Sequence, residues 1–113
     1  MNLSNSDTNN SIIHIIEYIK NNYNKNHSVQ QYAKVCNLEK YYFIKIFCKH
    51  TGDTPLLFRT KIRIEKAKEL LMKTEMTNEQ ISELVGYSNA YYFSRIFKNH
   101  TKLSPTEFKK QYK

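Results

Sequence analysis

Two outward-facing sets of side chains, fifty residues apart, are placed to do chemistry. Lys40, Tyr41, Ile44 and Lys45 lie off the apolar stripe marked by Phe43 and Phe47. Ala90, Tyr91, Ser94 and Arg95 lie in the same way off the stripe of Phe93 and Phe97. Arg95 carries a planar fork of N–H donors that matches the two acceptors on the major-groove edge of guanine. A phosphate contact or a salt bridge at the edge of a core are the other uses of that fork. Lys45 lacks the fork and suits a phosphate. Tyr41 and Tyr91 can pack on thymine methyls, bond a phosphate, or sit half-buried at the surface. Ile44 can make only an apolar contact, for which a thymine methyl qualifies.

Other chemistries lack their residues. The four His and two Cys never fall into a CxxC or HxxxH spacing, so no metal site is expected. His50 and His100 are expected at the surface or near a phosphate. No glycine-rich phosphate loop, paired catalytic carboxylates or Ser/His/Asp arrangement is present. Neither an enzyme nor a bound cofactor is expected. Cys36 and Cys48 are too few for a disulfide framework and read as small buried fillers in a reducing, cytoplasmic setting.

The 113 residues allow one domain, or two small ones, and 40% of them are apolar, enough for a core. Eighteen Lys+Arg stand against ten Asp+Glu, a formal charge of +8. That excess points to a polyanion, with nucleic acid and an anionic membrane surface both candidates and a merely solubilising surface the alternative. Only two Gly and two Pro occur, so the turns of an all-β domain are missing and an all-α fold is expected. No apolar run approaches the length of a membrane span, and with no basic stretch followed by a long apolar one at the start, no secretory signal is expected.

The elements that must position the two sets follow from caps and periodicity. Residues 1–10 are polar and without period, and are expected as a disordered tail or linker stub. Ile12, Ile16, Ile19 and Tyr23 mark one face of a helix starting at Ser11. Ser28 and Gln31 form a capping box for a short helix to about Val35, and Asn37 suits the turn that follows. A second helix spans about 39–50, with Phe43, Ile46 and Phe47 inward, stopped by Gly52. Asp53 or Thr54 caps a long helix over about 55–73, opened by Pro55, with Leu57, Ile64, Ala67, Leu70 and Leu71 inward. Thr77 and Gln80 repeat the box ahead of a short helix to Val85, and Gly86 gives the turn. A helix over about 89–100 turns Phe93, Ile96 and Phe97 inward. Ser104, Pro105 and Glu107 open a last short helix holding Phe108 and Tyr112. Seven helices result. The first module covers 11–53, a linker helix 54–73, and the second module 74–113.

The halves copy each other. Comparing 41–58 with 91–108, nine of the eighteen positions are identical: Tyr41/Tyr91, Tyr42/Tyr92, Phe43/Phe93, Ile46/Ile96, Phe47/Phe97, His50/His100, Thr51/Thr101, Pro55/Pro105 and Phe58/Phe108. Unrelated helices would share about one or two, so the unit is duplicated. Upstream the offset becomes 49, pairing Ser28 with Thr77, Gln31 with Gln80, Asn37 with Gly86, and Ala33 with Ser82. Each unit is a short helix, a tight turn and a longer helix with basic and polar groups outside, the pattern of a helix-turn-helix. A spacer helix over 55–73 would be about 28 Å long, near the roughly 34 Å between successive major grooves on one face of B-DNA. One monomer could then read two adjacent grooves at an asymmetric site.

Four motifs carry a family resemblance over about residues 11–112. They are Phe43-x-x-x-Phe47 with Gly52-x-Thr54-Pro55-x-x-Phe58; Arg63-Ile64-x-x-Ala67-x-x-Leu70-Leu71; Ile81-x-x-x-x-Gly86-Tyr87; and Tyr92-Phe93-Ser94-Arg95-x-Phe97-Lys98 ending in Ser104-Pro105. In combination they resemble the DNA-binding domain of AraC/XylS-type bacterial transcription regulators. The departures are Asn37, where the family's first turn usually has Gly, and Lys102-Leu103, where a Gly-containing pair is usual.

The resemblance implies two helix-turn-helix modules joined by a long helix, promoter binding, and activation through contacts with RNA polymerase. It implies base reading by Tyr41, Ile44 and Lys45, and by Ala90, Tyr91, Ser94 and Arg95. Contacts to the DNA backbone are expected from Ser28, Gln31, Lys40, Lys49, Thr77, Gln80, Asn89, Lys98 and Asn99, near helix ends facing the groove walls. For the cap residues among them, capping alone is the other reading. Arg63 occupies a position the family fills with Arg and is expected in an internal salt bridge. The expected activity is sequence-specific transcription regulation on double-stranded DNA by a monomeric reader. A helical adaptor that binds RNA polymerase without reading bases is the alternative.

Overall fold

The structure, a computed structural model, describes residues 5–113. Its helices are α1 (Asn5–Asn21), α2 (Val29–Val35), α3 (Lys40–Thr51), α4 (Pro55–Lys73), α5 (Asn78–Val85), α6 (Ala90–Thr101) and α7 (Pro105–Tyr112). Among the described residues there is no strand, and no helix is long and apolar enough to cross a membrane. The chain divides into two compact units between Thr60 and Lys61, inside α4.

In the first unit α2 and α1 both pack on α3. Phe43 and Phe47 are fully buried, their rings 5.7 Å apart, and Phe58 of α4 meets Phe47 edge-on at 5.3 Å. Aromatic pairs favour such tilted and edge-to-face contacts. α1 supplies Ile12, Ile15 and Ile19, with Thr8 buried on the same face. This corrects the expected face: Ile16 and Tyr23 are only half-buried, and Ile15 takes the inner position. It also corrects the expected tail, because residues 5–10 are helical. The buried Thr8 and a 3.2 Å hydrogen bond between Asn9 and His50 of α3 hold that first stretch. Residues 1–4, also assigned to the tail, lie outside the described residues.

The second unit repeats this plan. α5 and α7 pack on α6, Phe93 and Phe97 are fully buried at 5.9 Å, and Phe108 meets Phe97 edge-on at 5.5 Å. Ile64, Ala67 and Leu71 of α4 are buried here. Leu57, expected inward with them, is 38% exposed, in the first turn of α4. Ile46 and Ile96 are half-buried, and Tyr112 is exposed while stacking on Phe108 at 4.8 Å.

Local chemistry sets the boundaries. Ser28 with Gln31, Thr77 with Gln80 and Ser104 with Glu107 form complete capping boxes. Thr54 Oγ1 accepts from the N–H of Leu57 at 3.4 Å at the start of α4. After α3 and α6, the hydroxyls of Thr51 and Thr101 lie within 2.9 Å of the carbonyls of Phe47 and Phe97. Each also accepts from the N–H two residues on, at Asp53 and Leu103, closing the same knot in both units. A cation from the helix after the knot secures the loop that leads into the unit. Arg59 Nη1 donates to the carbonyl of His27 at 2.8 Å, and Lys113 Nζ to that of Thr74 at 2.8 Å.

The turns need a left-handed residue. Gly52 (φ 83°) and Gly86 (φ 113°) supply it at no steric cost, whereas Asn37 (φ 57°) and Lys102 (φ 72°) adopt it with side chains. Cys36 is buried between α1 and α2, its Sγ 3.6 Å from the carbonyl of Ser11, and burial pushes its thiol up to about 11.

Two outcomes follow. Lys102→Gly is expected to stabilise the chain by about 1 kcal/mol, by removing a left-handed lysine. Urea unfolding reads this as a higher midpoint at unchanged slope. In the native protein at pH 8, iodoacetamide is expected to alkylate the half-buried Cys48 before Cys36, and both at similar rates in denaturant; peptide mass mapping distinguishes the two.

Candidate nucleic-acid interface

The buried phenylalanine pair sets the rotation of each longer helix. Side chains at 43 and 47 point inward, so 41, 44 and 45 take the outer face, and 91, 94 and 95 do so in the second unit. Tyr41 is 71% exposed and Tyr91 72%. Lys45 and Arg95 are exposed, while Ile44 and Ser94 are half-buried. Lys40 and Ala90, at the first helical position, are half-buried as well. The structure thus gathers Lys40, Tyr41, Ile44 and Lys45 on one face, and Ala90, Tyr91, Ser94 and Arg95 on its counterpart. Exposed Lys49 extends the first set, and exposed Lys98 and Asn99 lie beyond the second.

The entry to each of these helices is capped by a side chain. Asn89 Oδ1 accepts from the N–H of Tyr92 at 2.9 Å, so the oxygen of that expected backbone contact is committed to the cap. Glu39 takes the same position in the first unit, its carboxylate accepting from Tyr42 N–H at 2.9 Å. The backbone N–H groups of Tyr41 and Tyr42 hold that carboxyl below the usual glutamate range. Glu39 was not expected as a cap from its type, although the offset of 50 from Asn89 is a signal for it. In the boxes, the side-chain oxygens of Ser28 and Gln31, and of Thr77 and Gln80, accept from each other's backbone N–H. Hydroxyl protons and amide N–H₂ groups remain as donors at these four exposed residues.

Electrostatically, the two helices differ from α4. α3 carries Lys40, Lys45 and Lys49, α6 carries Arg95 and Lys98, and neither contains an Asp or Glu. On α4, Lys68 pairs with Glu65 at 2.9 Å, and Lys66 and Lys73 pair with Glu69 at 3.9 and 3.4 Å. Among the described residues, Lys45, Lys49 and Arg95 have no carboxylate partner, and Lys40 attracts the neighbouring Glu39 carboxylate without closing to ion-pair distance. Lys98 meets Glu107 only at 4.0 Å, with both side chains largely in solvent, a pair worth little. Two of these cations lie over aromatic rings: Lys40 Nζ is 5.3 Å from the centroid of Tyr41, and Arg95 Cζ 5.9 Å from that of Tyr91. Away from this face, the buried Arg63 places its guanidinium 4.9 Å from the ring centroid of Tyr87.

Sequence reasoning missed Arg59, which bonds the carbonyl of His27 and the hydroxyl of Tyr32 and so steadies the start of α2. It also missed Glu75, whose carboxyl Lys113 at 2.7 Å, then Lys109, hold below the usual range. Neither contact leaves a local sequence pattern.

Comparisons with known proteins agree with this geometry. The helix-turn-helix domain family matches residues 32–111. The chain is 34% identical over 101 residues to the lactose operon transcription activator of Staphylococcus xylosus, covering 89% of this chain and 36% of that protein. It thus spans about a third of the length of this relative. The C-terminal domain of the response regulator AraT from Geobacillus stearothermophilus superposes with a TM-score of 0.85 at 29% identity, covering 89% of this chain and 84% of that one. The DNA-binding domain of the global transcriptional factor AdpA, solved with a target DNA, shares the fold at a TM-score of 0.85 and 17% identity, over 90% and 92% of the two chains. On the match over 32–111 and the paired helix-turn-helix units, the chain belongs to the AraC/XylS type of helix-turn-helix DNA-binding domain.

Proposed function

We propose that the chain reads promoter DNA in a sequence-specific manner as a monomer, each unit placing its longer helix in a major groove. It regulates transcription in the cytoplasm, as an activator that touches RNA polymerase, and works by binding rather than by catalysis. The observation that carries this reading is the charge on α3 and α6. Neither helix contains an Asp or Glu, and among the described residues Lys45, Lys49 and Arg95 have no carboxylate within ion-pair distance, whereas Lys66, Lys68 and Lys73 of α4 are paired. A duplex phosphate backbone is the natural counter-charge, and its bound counterions are released on contact.

The roles divide by chemistry. Arg95 takes the acceptor edge of guanine, and Ile44 and Lys45, with Ala90 and Ser94, line the two groove floors, where Tyr41 and Tyr91 stand beside the cations of the same face. Lys40, Lys49, Lys98, Asn89 and Asn99, with the donors left over at Ser28, Gln31, Thr77 and Gln80, hold the phosphates and fix the register. Because the units are in tandem, the site is asymmetric.

Selection of duplexes from a random pool is expected to return an asymmetric motif with two half-elements about one helical turn apart. A pool that stays random, with the chain still bound to RNA polymerase, would establish the adaptor instead. On the selected duplex, Lys40→Ala and Lys49→Ala are each expected to reduce the salt slope of binding by about one, whatever the sequence. Arg95→Ala is expected to cost about 1–3 kcal/mol and to relax preference at one base pair. Arg95→Lys is expected to keep the salt slope but lose that preference, since a lysine has no fork. Titrations by fluorescence anisotropy at several salt concentrations read all of these.

A further inference from the structure

We propose that Tyr91 is a positioning residue that braces the Arg95 guanidinium, so that base discrimination is concentrated in the half-element read by α6. This rests on the reading of α6 as the groove-entering helix.

Arg95 is exposed on a helix with no carboxylate, and no ion pair fixes it among the described residues. An arginine in that setting samples many rotamers, and ordering one on binding costs about 0.5–1.5 kcal/mol. Tyr91 lies one helical turn earlier on the same face, and the guanidinium sits 5.9 Å from its ring centroid. Residues four apart on a helix are neighbours, so the contact persists without distorting the backbone. The ring narrows the range of the fork before DNA arrives, as a stacked plane does for a planar cation.

The first unit supplies an internal comparison. Tyr41 is as exposed as Tyr91 and occupies the same position. There the cation over the ring is Lys40, at 5.3 Å, at the position where α6 has Ala90. The residue four further on is Lys45, a point charge without a fork. One ring therefore serves two purposes in the two copies. In α3 it steadies a phosphate-binding ammonium at the helix start, and in α6 it aims a base-reading fork. The half-element under α3 is then the more tolerant of substitution.

Tyr91→Ala, Tyr91→Phe, Arg95→Ala, Tyr41→Ala and the double variant Tyr91→Ala/Arg95→Ala test this against the selected duplex, all its single base-pair variants and an unrelated duplex. Arg95→Ala is expected to flatten preference at one base pair. Tyr91→Ala is expected to lower preference at that same base pair by about 2- to 5-fold, the worth of an exposed cation–π contact, with the salt slope and unrelated-duplex affinity unchanged. Tyr91→Phe keeps the ring and is expected to retain the wild-type preference. The double variant is expected to match Arg95→Ala alone. Tyr41→Ala is expected to weaken all duplexes alike. The bracing is overturned if Tyr91→Phe loses as much as Tyr91→Ala, which would make the hydroxyl the active group. It is also overturned if Tyr91→Ala acts at another base pair or at none. If Arg95→Ala itself leaves every preference intact, base reading by Arg95 fails and the bracing falls with it. Both tyrosines are largely in solvent, so the variants are expected to fold as the parent does, with urea midpoints lowered only slightly by the lost ring contact.

Discussion

Two phenylalanines one turn apart decide how each longer helix faces the world. Phe43 and Phe47, and Phe93 and Phe97, are wholly shielded from water, and a third ring from the next helix closes on each pair edge-on. Burying a phenylalanine stabilises by roughly 1.5–3 kcal/mol. Rotating the helix by one residue, 100°, would forfeit most of that for both rings. The outward face is therefore fixed by the core, and the residues on it are free to vary as a partner requires. This is why α3 and α6 keep identical aromatics inside while Ile44 and Lys45 stand opposite Ser94 and Arg95 outside.

The ends of the elements are held as firmly as their middles. Reciprocal boxes start α2, α5 and α7, and single side-chain caps start α3 and α6. A threonine hydroxyl ties off the end of both longer helices, and a cation from further along the chain returns to the loop before the unit. These bonds are nearly the same in the two copies even where residue types differ. Glu39 does the work of Asn89, and Arg59 that of Lys113. Geometry has been kept while composition drifted.

The parts legible in the sequence are those whose partners lie within four residues. The boxes, the Phe stripes, the left-handed turn at Asn37 and the bounds of α4 follow from local spacing, and the duplication doubled each signal. The rest depended on distant contacts. Ile12, Ile13, Ile15 and Ile16 support two phases of α1, and packing against α3 chose the one with Ile15 inside. Residues 5–10 carry no apolar period, and only a buried Thr8 and a bond to His50 reveal their helix. Leu57 looked like core because it is seven residues from Ile64. Its counterpart in the repeat is the surface residue Glu107, and that comparison predicts its exposure better than the heptad does. The outer faces of α3 and α6 were legible from the stripe opposite them, but the rings over Lys40 and Arg95 were not.

The positive charge of the two longer helices has a consequence for the free protein. Lys45 and Lys49 are four residues apart on α3, and Arg95 and Lys98 three apart on α6, so each helix repels itself whenever nothing negative lies against it. Small ions relieve that strain in solution, and a duplex relieves it when bound. Added electrolyte therefore tightens the unliganded fold by the same screening that loosens its hold on nucleic acid. The molecule is at its least comfortable, and its most adhesive, in dilute buffer with no duplex present.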